Sequence, residues 1–249
     1  MRNLIKPLST HSAAAVAAAA LAALSGIGAT ANKVSKVQVI YVRNVSSYVT
    51  DAEVRNALPA FQEATSGDFA PIWHVDAKLV FIGRRTAPVG SETITLIDKG
   101  TVKNALAFPE LVNGVPDSII YTAVSKFYGY SWTVGFTHEL WEMLADPGLV
   151  RTMQDQTGTI WANEVADPVE ADADGYTRPG LDGKPVLISD FVTEKWFGAL
   201  DAGPYDFCNH IQSPLVIDKG GYAQWWDGST WHVIQNFEKG SPEAKGFHW

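Results

Sequence analysis

A single cysteine, Cys208, limits how this chain can hold itself together. One thiol forms no intramolecular disulfide, and it supplies neither a cysteine-rich zinc ribbon nor an iron–sulfur cluster. The fold must therefore depend on a hydrophobic core, which 249 residues with 46% hydrophobic side chains are sufficient to build. Any metal ion must then be bound by nitrogen and oxygen. We expect the thiol itself to be buried and unreactive.

The first 31 residues have the layout of a secretory signal peptide. Arg2 and Lys6 precede an alanine-rich apolar run at 12–24, and Ala29-Thr30-Ala31 has the A-x-A form after which signal peptidases cut. Cleavage after Ala31 predicts a mature chain of residues 32–249, secreted or periplasmic. The apolar run is shorter than a typical bilayer-spanning helix, and an uncleaved N-terminal anchor is the alternative.

The formal net charge of −8 argues against several kinds of partner. A negative surface has the wrong sign for binding a phosphate backbone or an anionic membrane. Loss of Arg2 and Lys6 with the signal peptide makes the mature chain more negative still. The sequence therefore predicts no nucleic-acid partner and no membrane association after cleavage. No sequence feature predicts an oligomeric state.

Hydrophobic patterning predicts a single α+β domain over 32–249, with an ordered part at 32–147 and a loop-rich half at 148–249. The β-branched run 37–42 predicts a buried strand. A capping box at Thr50-Asp51-Ala52-Glu53 predicts that a helix follows it. Further strands are predicted at 78–82, 93–97 and 118–124, and a second helix at 132–144.

The second helix carries the residues that point to chemistry. Its apolar side chains fall within one arc: Phe136, Leu140, Met143 and Leu144. His138 and Glu142 lie on nearly the opposite side, so we expect one face in the core and the other lining a cleft. Side chains four residues apart can bind one ion, which is why H-E-x-x-H occurs on helices of zinc enzymes, with the glutamate as general base. With Glu139 the motif here is H-E-x-x-E, for which an ordinary charged helix face is the alternative.

Two later segments strengthen the case for a metal site. They are Asn163-Glu164-Val165-Ala166-Asp167-Pro168 and Ser189-Asp190-Phe191-Val192. In these elements the chain resembles the zincin metalloproteases, in particular the thermolysin-like gluzincins, in which an N-E-x-x-x-D element follows the active-site helix. It is also similar to uncharacterised bacterial and phage-associated secreted proteins with H-E-x-x-E-x-x-x-D-P, E-V-x-D-P and S-D-F-V segments. The resemblance implies a zincin-like fold with a mixed β-sheet and an active-site helix, and the predicted element order agrees with it.

The resemblance also implies a role for each residue of the motifs. It makes His138, Glu142 and Glu164 the metal ligands, Glu139 the general base and Asp167 the partner that orients His138. Two positions depart from the thermolysin-like pattern: Glu142 stands where that family has a histidine, and Asp167 follows Glu164 by three residues instead of four. Asp167 is therefore also a candidate ligand.

These ligands predict a zinc peptidase of weak or narrow activity acting on a peptide or protein substrate. One histidine and two glutamates cancel the charge of a divalent ion, so its water is acidified less than with two histidines and one glutamate. Catalysis also requires a donor for the oxyanion. His210 and Tyr176, in the loop-rich half, are the candidates we prefer, with Tyr222 and His232 as alternatives.

The acidic stretch Glu170-Ala171-Asp172-Ala173-Asp174 has two interpretations. Its alternating carboxylates before Gly175 resemble the first half of an EF-hand calcium loop. The twelfth position, however, is Leu181 instead of the glutamate that completes such a site. A solvated acidic turn is the favoured interpretation, and a structural Ca²⁺ site is the alternative.

Trp225, Trp226 and Trp231 allow a further class of function. Exposed indoles are common on sugar-binding and protein-binding surfaces, but tryptophan is usually buried. We expect a core role for these three residues, as for Trp73 and Trp196. Two alternatives to the peptidase follow: a metal-stabilised binding or structural protein of the same fold with weak or no catalysis, and a glycan-binding or surface-assembly module.

Overall fold

The computed structural model describes residues 38–100, 105–198, 202–241 and 244. The predicted signal peptide at 1–31, its cleavage site and the first residue of the strand predicted at 37–42 lie outside the described residues. Among the helices of the described ranges, none has the length and apolar character that crossing a bilayer requires.

A five-stranded mixed sheet forms the framework of the N-terminal half. Its strands are β1 (Gln38–Asn44), β2 (Ala77–Gly83), β3 (Glu92–Ile97), β4 (Ala107–Val112) and β5 (Val115–Tyr121). In space they follow the order β2-β1-β3-β5-β4. The pairs β1–β2, β1–β3 and β3–β5 are parallel, whereas β4 pairs with β5 in the antiparallel sense at one edge. Parallel neighbours require long crossover connections, and helices supply the one between β1 and β2.

The first crossover begins with α1 (Asp51–Glu63), as the capping box predicts. The Glu53 amide donates to Thr50 Oγ1 at 3.2 Å, and the Thr50 amide donates to Glu53 Oε2 at 2.7 Å. The chain continues through a π-helical turn (Ala64–Phe69) into α2 (Ala70–Trp73). The predicted helix is therefore confirmed, and it runs further toward β2 than its sequence pattern indicates.

The sequence located most of the sheet correctly and missed one region. The predicted strands near β1, β2 and β3 are confirmed with small shifts at their ends. The strand predicted at 118–124 is wrong at its end, because β5 stops at Tyr121 and α3 (Thr122–Tyr128) begins there. Strand β4 was not predicted, since Pro109 disfavours a strand interior. An edge strand tolerates it.

The C-terminal half consists of short strands and connecting loops, as predicted. Strands β6 (Thr152–Gln154), β7 (Ile160–Ala162), β10 (Tyr222–Trp226) and β11 (Trp231–Gln235) form a sheet of order β11-β10-β7-β6. Strands β8 (Tyr176–Pro179) and β9 (Pro185–Ile188) form an antiparallel pair. Buried side chains of both halves, from Ile40 to Ala223, make one hydrophobic cluster. The α+β class is confirmed.

The second predicted helix is α4 (Trp132–Ala145), and every residue from Thr133 to Ala145 is buried. Phe136 stacks on Phe61 with ring centroids 4.3 Å apart. The prediction that one face of α4 lines a cleft is wrong, because β4, β5 and β9 all pack against this helix.

Hydrogen bonds also tie α4 to the S-D-F-V segment. The Ser189 amide donates to Thr137 Oγ1 at 2.8 Å, and Trp141 Nε1 donates to the Ser189 carbonyl at 3.1 Å. The Trp141 ring in turn stacks on Phe69 with centroids 4.7 Å apart. These contacts hold the middle of α4 in one position and orientation.

Thr137→Val tests how much this anchoring stabilises the fold. Valine keeps the shape of the side chain but leaves the buried Ser189 amide without its acceptor, which costs about 1–3 kcal/mol. We expect the free energy of unfolding, measured with urea, to fall by that amount. Thr177→Val at an exposed position of β8 is the control and should change stability by less than about 0.5 kcal/mol. Equal losses in both variants would contradict a specific role for the hydrogen bond.

Candidate metal centre

The imidazole of His138 lies between two carboxylates in the middle of α4. Its Nε2 atom is 3.2 Å from Glu142 Oε1 and 3.4 Å from Asp167 Oδ1. The first contact follows from helical spacing. The second is made by the residue that begins a single 3-10 turn (Asp167–Val169). His138 Nε2 has hydrogen-bond geometry with neither oxygen, so the three atoms are close together without bonding one another.

Two overlapping groups of possible ligand atoms meet at this imidazole. One contains His138, Glu139 and Glu142, and the other contains His138, Asp167 and Glu170. In each group, one atom from every residue lies within 4.8 Å of the others. All five residues are buried, with at most 4% of their surface exposed. The structure thus brings together four residues that the sequence predicted, and adds Glu170.

The position of Asp167 favours a ligand role over an orienting one. A carboxylate that orients a metal-bound histidine contacts the ring nitrogen that is not bound to the metal. Asp167 instead faces Nε2, the nitrogen that Glu142 also faces. Among the described residues, Nδ1 of His138 has no hydrogen-bond partner. The geometry therefore fits Asp167 as a ligand that shares an ion with His138 and Glu142.

Glu164, the third ligand implied by the resemblance, belongs to neither group of converging atoms. Its Oε2 is nevertheless buried without a hydrogen bond, and its pKa is raised well above the usual range by burial, Glu142 and Asp167. The neighbouring Asn163 holds this segment, since its Nδ2 donates to the Ala145 carbonyl at the end of α4 at 3.2 Å. The ligand role of Glu164 stays a prediction.

Unsatisfied buried atoms concentrate in this cluster. They include both ring nitrogens of His138, both carboxylate oxygens of Glu139, and one oxygen each of Glu142, Glu164 and Asp167. Folded proteins pair nearly all such atoms, because a buried polar or charged group without a partner costs several kcal/mol. A divalent cation at one ring nitrogen of His138 would give a shared partner to the carboxylates that converge on it. One imidazole among carboxylates is a donor set that zinc accepts.

Repulsion among the carboxylates shifts their protonation. Burial and then Glu142 raise the pKa of Glu139 to about 8, against the opposing effects of His138 and Ser118. Burial lowers the pKa of His138, but Glu142 and Asp167 outweigh it and hold the pKa well above its usual value. Burial and Glu142 also raise the pKa of Asp167. In the described part of the chain, the strongest influences on these pKa values include no Lys or Arg, so a bound cation is the compensation that fits.

Tyr222 shares this environment. Burial raises the pKa of its phenol well above the usual range, and Asp167 and Glu170 raise it further. The preceding Gly221 packs directly against the Pro168 backbone, where a Cβ would collide. This close approach fixes Tyr222 beside the 3-10 turn that carries Asp167. Of the four donors predicted from sequence, Tyr222 is the one whose pKa is raised by the carboxylates of the cluster.

Tyr176 and His210, the two preferred donors, have other partners. The Tyr176 hydroxyl donates to Asp68 Oδ2 at 3.0 Å. His210 Nδ1 is 3.3 Å from Asp190 Oδ2 and 3.7 Å from Asp206 Oδ2. None of these contacts involves a residue of the His138 cluster. The catalytic roles of Tyr176 and His210 stay predictions without support from their contacts.

The acidic stretch at 170–174 is not a solvated turn, so the interpretation that the sequence favours is wrong. Glu170 and Asp174 are buried, and Asp172 Oδ2 accepts a hydrogen bond from the Ser131 amide at 2.7 Å. Glu170 joins the His138 cluster, whereas Asp174 groups with other residues described below. The three carboxylates therefore face different neighbours and do not converge as the ligands of an EF-hand loop do, because the stretch folds inward beside the start of α4.

The tryptophan predictions hold in part. Trp73 and Trp196 are buried, as expected. Trp225 is half-buried, packs against the core and stacks on His232 with centroids 4.6 Å apart. Trp226 and Trp231 are half-buried and contact each other, with centroids 5.6 Å apart. Glycan binding by this region stays a prediction. Cys208 is partly exposed, which corrects the expectation of a buried thiol.

Comparisons with protein-family models, with curated proteins and with solved structures find no match to this chain. The interpretation of the cluster therefore rests on its donors, its burial and its charge. These describe an imidazole and several carboxylates that can hold a divalent cation, next to a glutamate, Glu139, that can exchange a proton near neutral pH.

The metal-free protein should lose stability as the pH rises. The pKa of Glu139 is raised from 4.5 to about 8 in the folded state, and those of Glu164, Asp167 and His138 are raised as well. A group with a raised pKa contributes stability that is present below its unfolded pKa and is lost as the pH rises through its folded pKa. We expect the Tm of chelator-treated protein to fall between about pH 5 and about pH 8.5, and excess zinc to remove most of this decline.

Glu139→Gln is the matched control for this experiment. The amide has nearly the same shape and does not ionise, so the fall of Tm with pH should become shallower in the metal-free variant. A metal-free wild-type protein whose Tm rises over this range would show that the cluster is not electrostatically strained.

Proposed function

We propose that this protein is a secreted metal-dependent hydrolase, specifically a zinc peptidase with a zincin-like fold. The observation that carries the proposal is the convergence of His138, Glu139, Glu142 and Asp167. Both ring nitrogens of His138, both oxygens of Glu139 and one oxygen each of Glu142 and Asp167 are buried without hydrogen bonds. An ordinary charged helix face is solvated, whereas this one is enclosed. Burying these groups without partners costs free energy, which a bound cation would offset.

The packing of the motif-bearing segments supports the resemblance to zincins. The H-E-x-x-E residues, the E-V-x-D-P segment and the S-D-F-V segment are distant in sequence. Asp167 of the second segment lies 3.4 Å from His138, and Ser189 of the third donates to Thr137. The segments that carry the resemblance therefore meet around α4, in a fold that begins with the expected strand–helix–strand order.

In this proposal His138, Glu142 and Asp167 hold the zinc ion, with Glu164 and Glu170 close by. Bound zinc supplies the Lewis acidity that activates a water molecule and polarises a carbonyl group. A set so rich in carboxylates leaves little net positive charge at the site, so we expect slow turnover. The chain itself must then contribute the proton transfer and the stabilisation of the oxyanion.

Glu139 performs the proton transfer in this scheme. It takes a proton from the attacking water and delivers it to the leaving amine. Its pKa of about 8 without a cation shows that its surroundings can hold either protonation state near neutral pH. Its place one residue after His138 keeps it within the same group of converging atoms.

Tyr222 is the donor that stabilises the oxyanion. Its raised pKa keeps the phenol protonated and able to donate a hydrogen bond. Glu164 and Tyr222 are partly exposed, unlike His138 and Glu139. Substrate would therefore reach the cluster from the side of these two residues.

The edge of the sheet supports a peptide substrate. Strand β4 ends the five-stranded sheet and packs against α4, the helix that bears the motif. The edge strand exposes Leu111 and Val112. An extended peptide can bind such an edge through main-chain hydrogen bonds, with side chains in adjoining pockets.

Glu139→Gln should abolish hydrolysis and leave zinc bound. Loss of a general base lowers kcat by about 10²–10⁴-fold, whereas the amide leaves the three proposed zinc ligands in place. Activity would be measured on a pool of fluorogenic peptides, and zinc by elemental analysis of the same samples. His138→Gln should lose both zinc and activity. Full activity of Glu139→Gln, or no cleavage by zinc-loaded wild type, would contradict the peptidase proposal.

Tyr222→Phe should lower kcat by about 10²-fold with little change in KM and with zinc retained. The reason is that the missing hydroxyl acts mainly on the charge that develops in the transition state. Tyr48→Phe, at an exposed tyrosine of the N-terminal half, is the control. An equal fold-reduction of kcat in Tyr222→Phe and Tyr48→Phe would argue against a donor role for Tyr222.

The burial of His138 and Glu139 favours a second candidate, a metal-stabilised protein without catalysis. Structural zinc sites are closed, with protein groups at every position, whereas catalytic sites keep one open. In that case zinc raises the Tm of the wild type, no peptide is cleaved, and Glu139→Gln has no functional effect.

A further inference from the structure

A second group of possible cation ligands lies outside the His138 cluster. One atom from each of Asp174, His210 and Asp218 lies within 4.8 Å of the other two. Asp174 is buried, Asp218 is half-buried and His210 is exposed. The group therefore has a buried carboxylate on one side and an approach from solvent on the other, which a metal ion needs in order to enter.

The carboxylate of Asp174 lacks a hydrogen-bond partner. Its Oδ2 atom is buried and unbonded, and the residue as a whole is only 9% exposed. Burial raises its pKa to about 7, and the negative charges of Asp218 and Asp206 contribute to the rise. A buried acid that faces other acids and an imidazole without a hydrogen bond is the pattern that a cation resolves.

His210 is held in one orientation. Its Nδ1 is 3.3 Å from Asp190 Oδ2, and its amide donates to Asp206 Oδ2 at 2.8 Å. Asp190 is itself fixed, since Oδ1 accepts the amides of Phe191 at 2.7 Å and Cys208 at 3.1 Å. A carboxylate on one ring nitrogen is the usual arrangement behind a metal-bound histidine. It leaves Nε2 of His210 for a ligand.

We propose that Asp174, His210 and Asp218 form a second zinc site that stabilises the loop-rich half. The imidazole favours zinc over calcium, which takes six to eight oxygen ligands. The three residues lie on two connecting segments, Asp174 just before β8 and His210 with Asp218 in the long segment before β10, and the Asp218 amide also donates to the Pro168 carbonyl at 3.0 Å. An ion between them would cross-link loops that a chain with one cysteine cannot join by a disulfide.

A neighbouring set of donors fits less well. Asp190, Cys208 and His210 also lie within 4.8 Å of one another. Both oxygens of Asp190 already have partners. The unsatisfied atom is on Asp174, which places the ion on that side of His210.

Zinc stoichiometry of the full chain tests this site. The protein would be stripped with chelator, titrated with zinc in a calorimeter and analysed for metal after gel filtration. We expect two equivalents in the wild type, one in the double variant Asp174→Asn/His210→Gln, and one in His138→Gln. Cys208→Ser and His232→Gln are the controls and should keep both. His232 pairs with Asp227 at 2.6 Å, outside both clusters.

The outcomes separate this site from the one in the proposed function. Two equivalents in the double variant would overturn the second site. A wild type that binds one equivalent and loses it in His138→Gln would also overturn the second site, but it would agree with zinc binding at the His138 cluster. Two equivalents in the wild type that fall to one only in the double variant would support the second site and count against the central one. Loss of an equivalent in Cys208→Ser would overturn the ligand assignment. If the double variant does not fold, a wild-type stoichiometry of one zinc equivalent that disappears in His138→Gln would overturn the proposal.

Discussion

Two carboxylates approach the same nitrogen of a buried imidazole, and the rest of this structure depends on that arrangement. Glu142 and Asp167 lie 3.2 and 3.4 Å from His138 Nε2 without hydrogen-bond geometry. Glu139, Glu164 and Glu170 add further negative charge nearby. Such a cluster is strained without a cation, because low-dielectric surroundings strengthen repulsion and remove water. The capacity of this cluster to hold a cation is therefore the starting point for the peptidase proposal.

Helix α4 can carry this cluster because the rest of the fold holds it firmly. Phe61 and Phe69 stack on its aromatic residues, and Ser189 bonds to it from the C-terminal half. A site on a rigid, packed helix keeps its ligands in place when the metal is absent. The same packing encloses His138 and Glu139, so the balance between catalytic and structural roles rests on access from the side of Tyr222.

The acidic stretch at 170–174 connects the two clusters. Glu170 faces His138, whereas Asp174 faces His210 and Asp218. These two residues are four positions apart, so one short stretch contributes to both clusters, and the Asp218 amide holds the backbone beside them through the Pro168 carbonyl. In a half of the molecule built from short strands and loops, charged side chains replace part of the apolar packing, and metal ions are a means of offsetting their repulsion.

The sequence by itself determined the features that depend on local geometry. The β-branched strands, the capping box before α1, the extent of α4 and the one-turn spacing of His138 and Glu142 all follow from periodicity along a short segment. Strand β4 was missed, since Pro109 is compatible with a strand only at an edge, and sequence alone does not reveal which strand is outermost.

Tertiary structure alone decided how Asp167 meets the imidazole and that Glu170 and Tyr222 lie near it. Asp167 faces the nitrogen that Glu142 faces, Glu170 turns inward, and Tyr222 is held close by the packing of Gly221. Helical spacing is a property of a few consecutive residues, whereas these placements depend on the course of loops. That course is set by packing against α4 and the sheet, which no local pattern encodes.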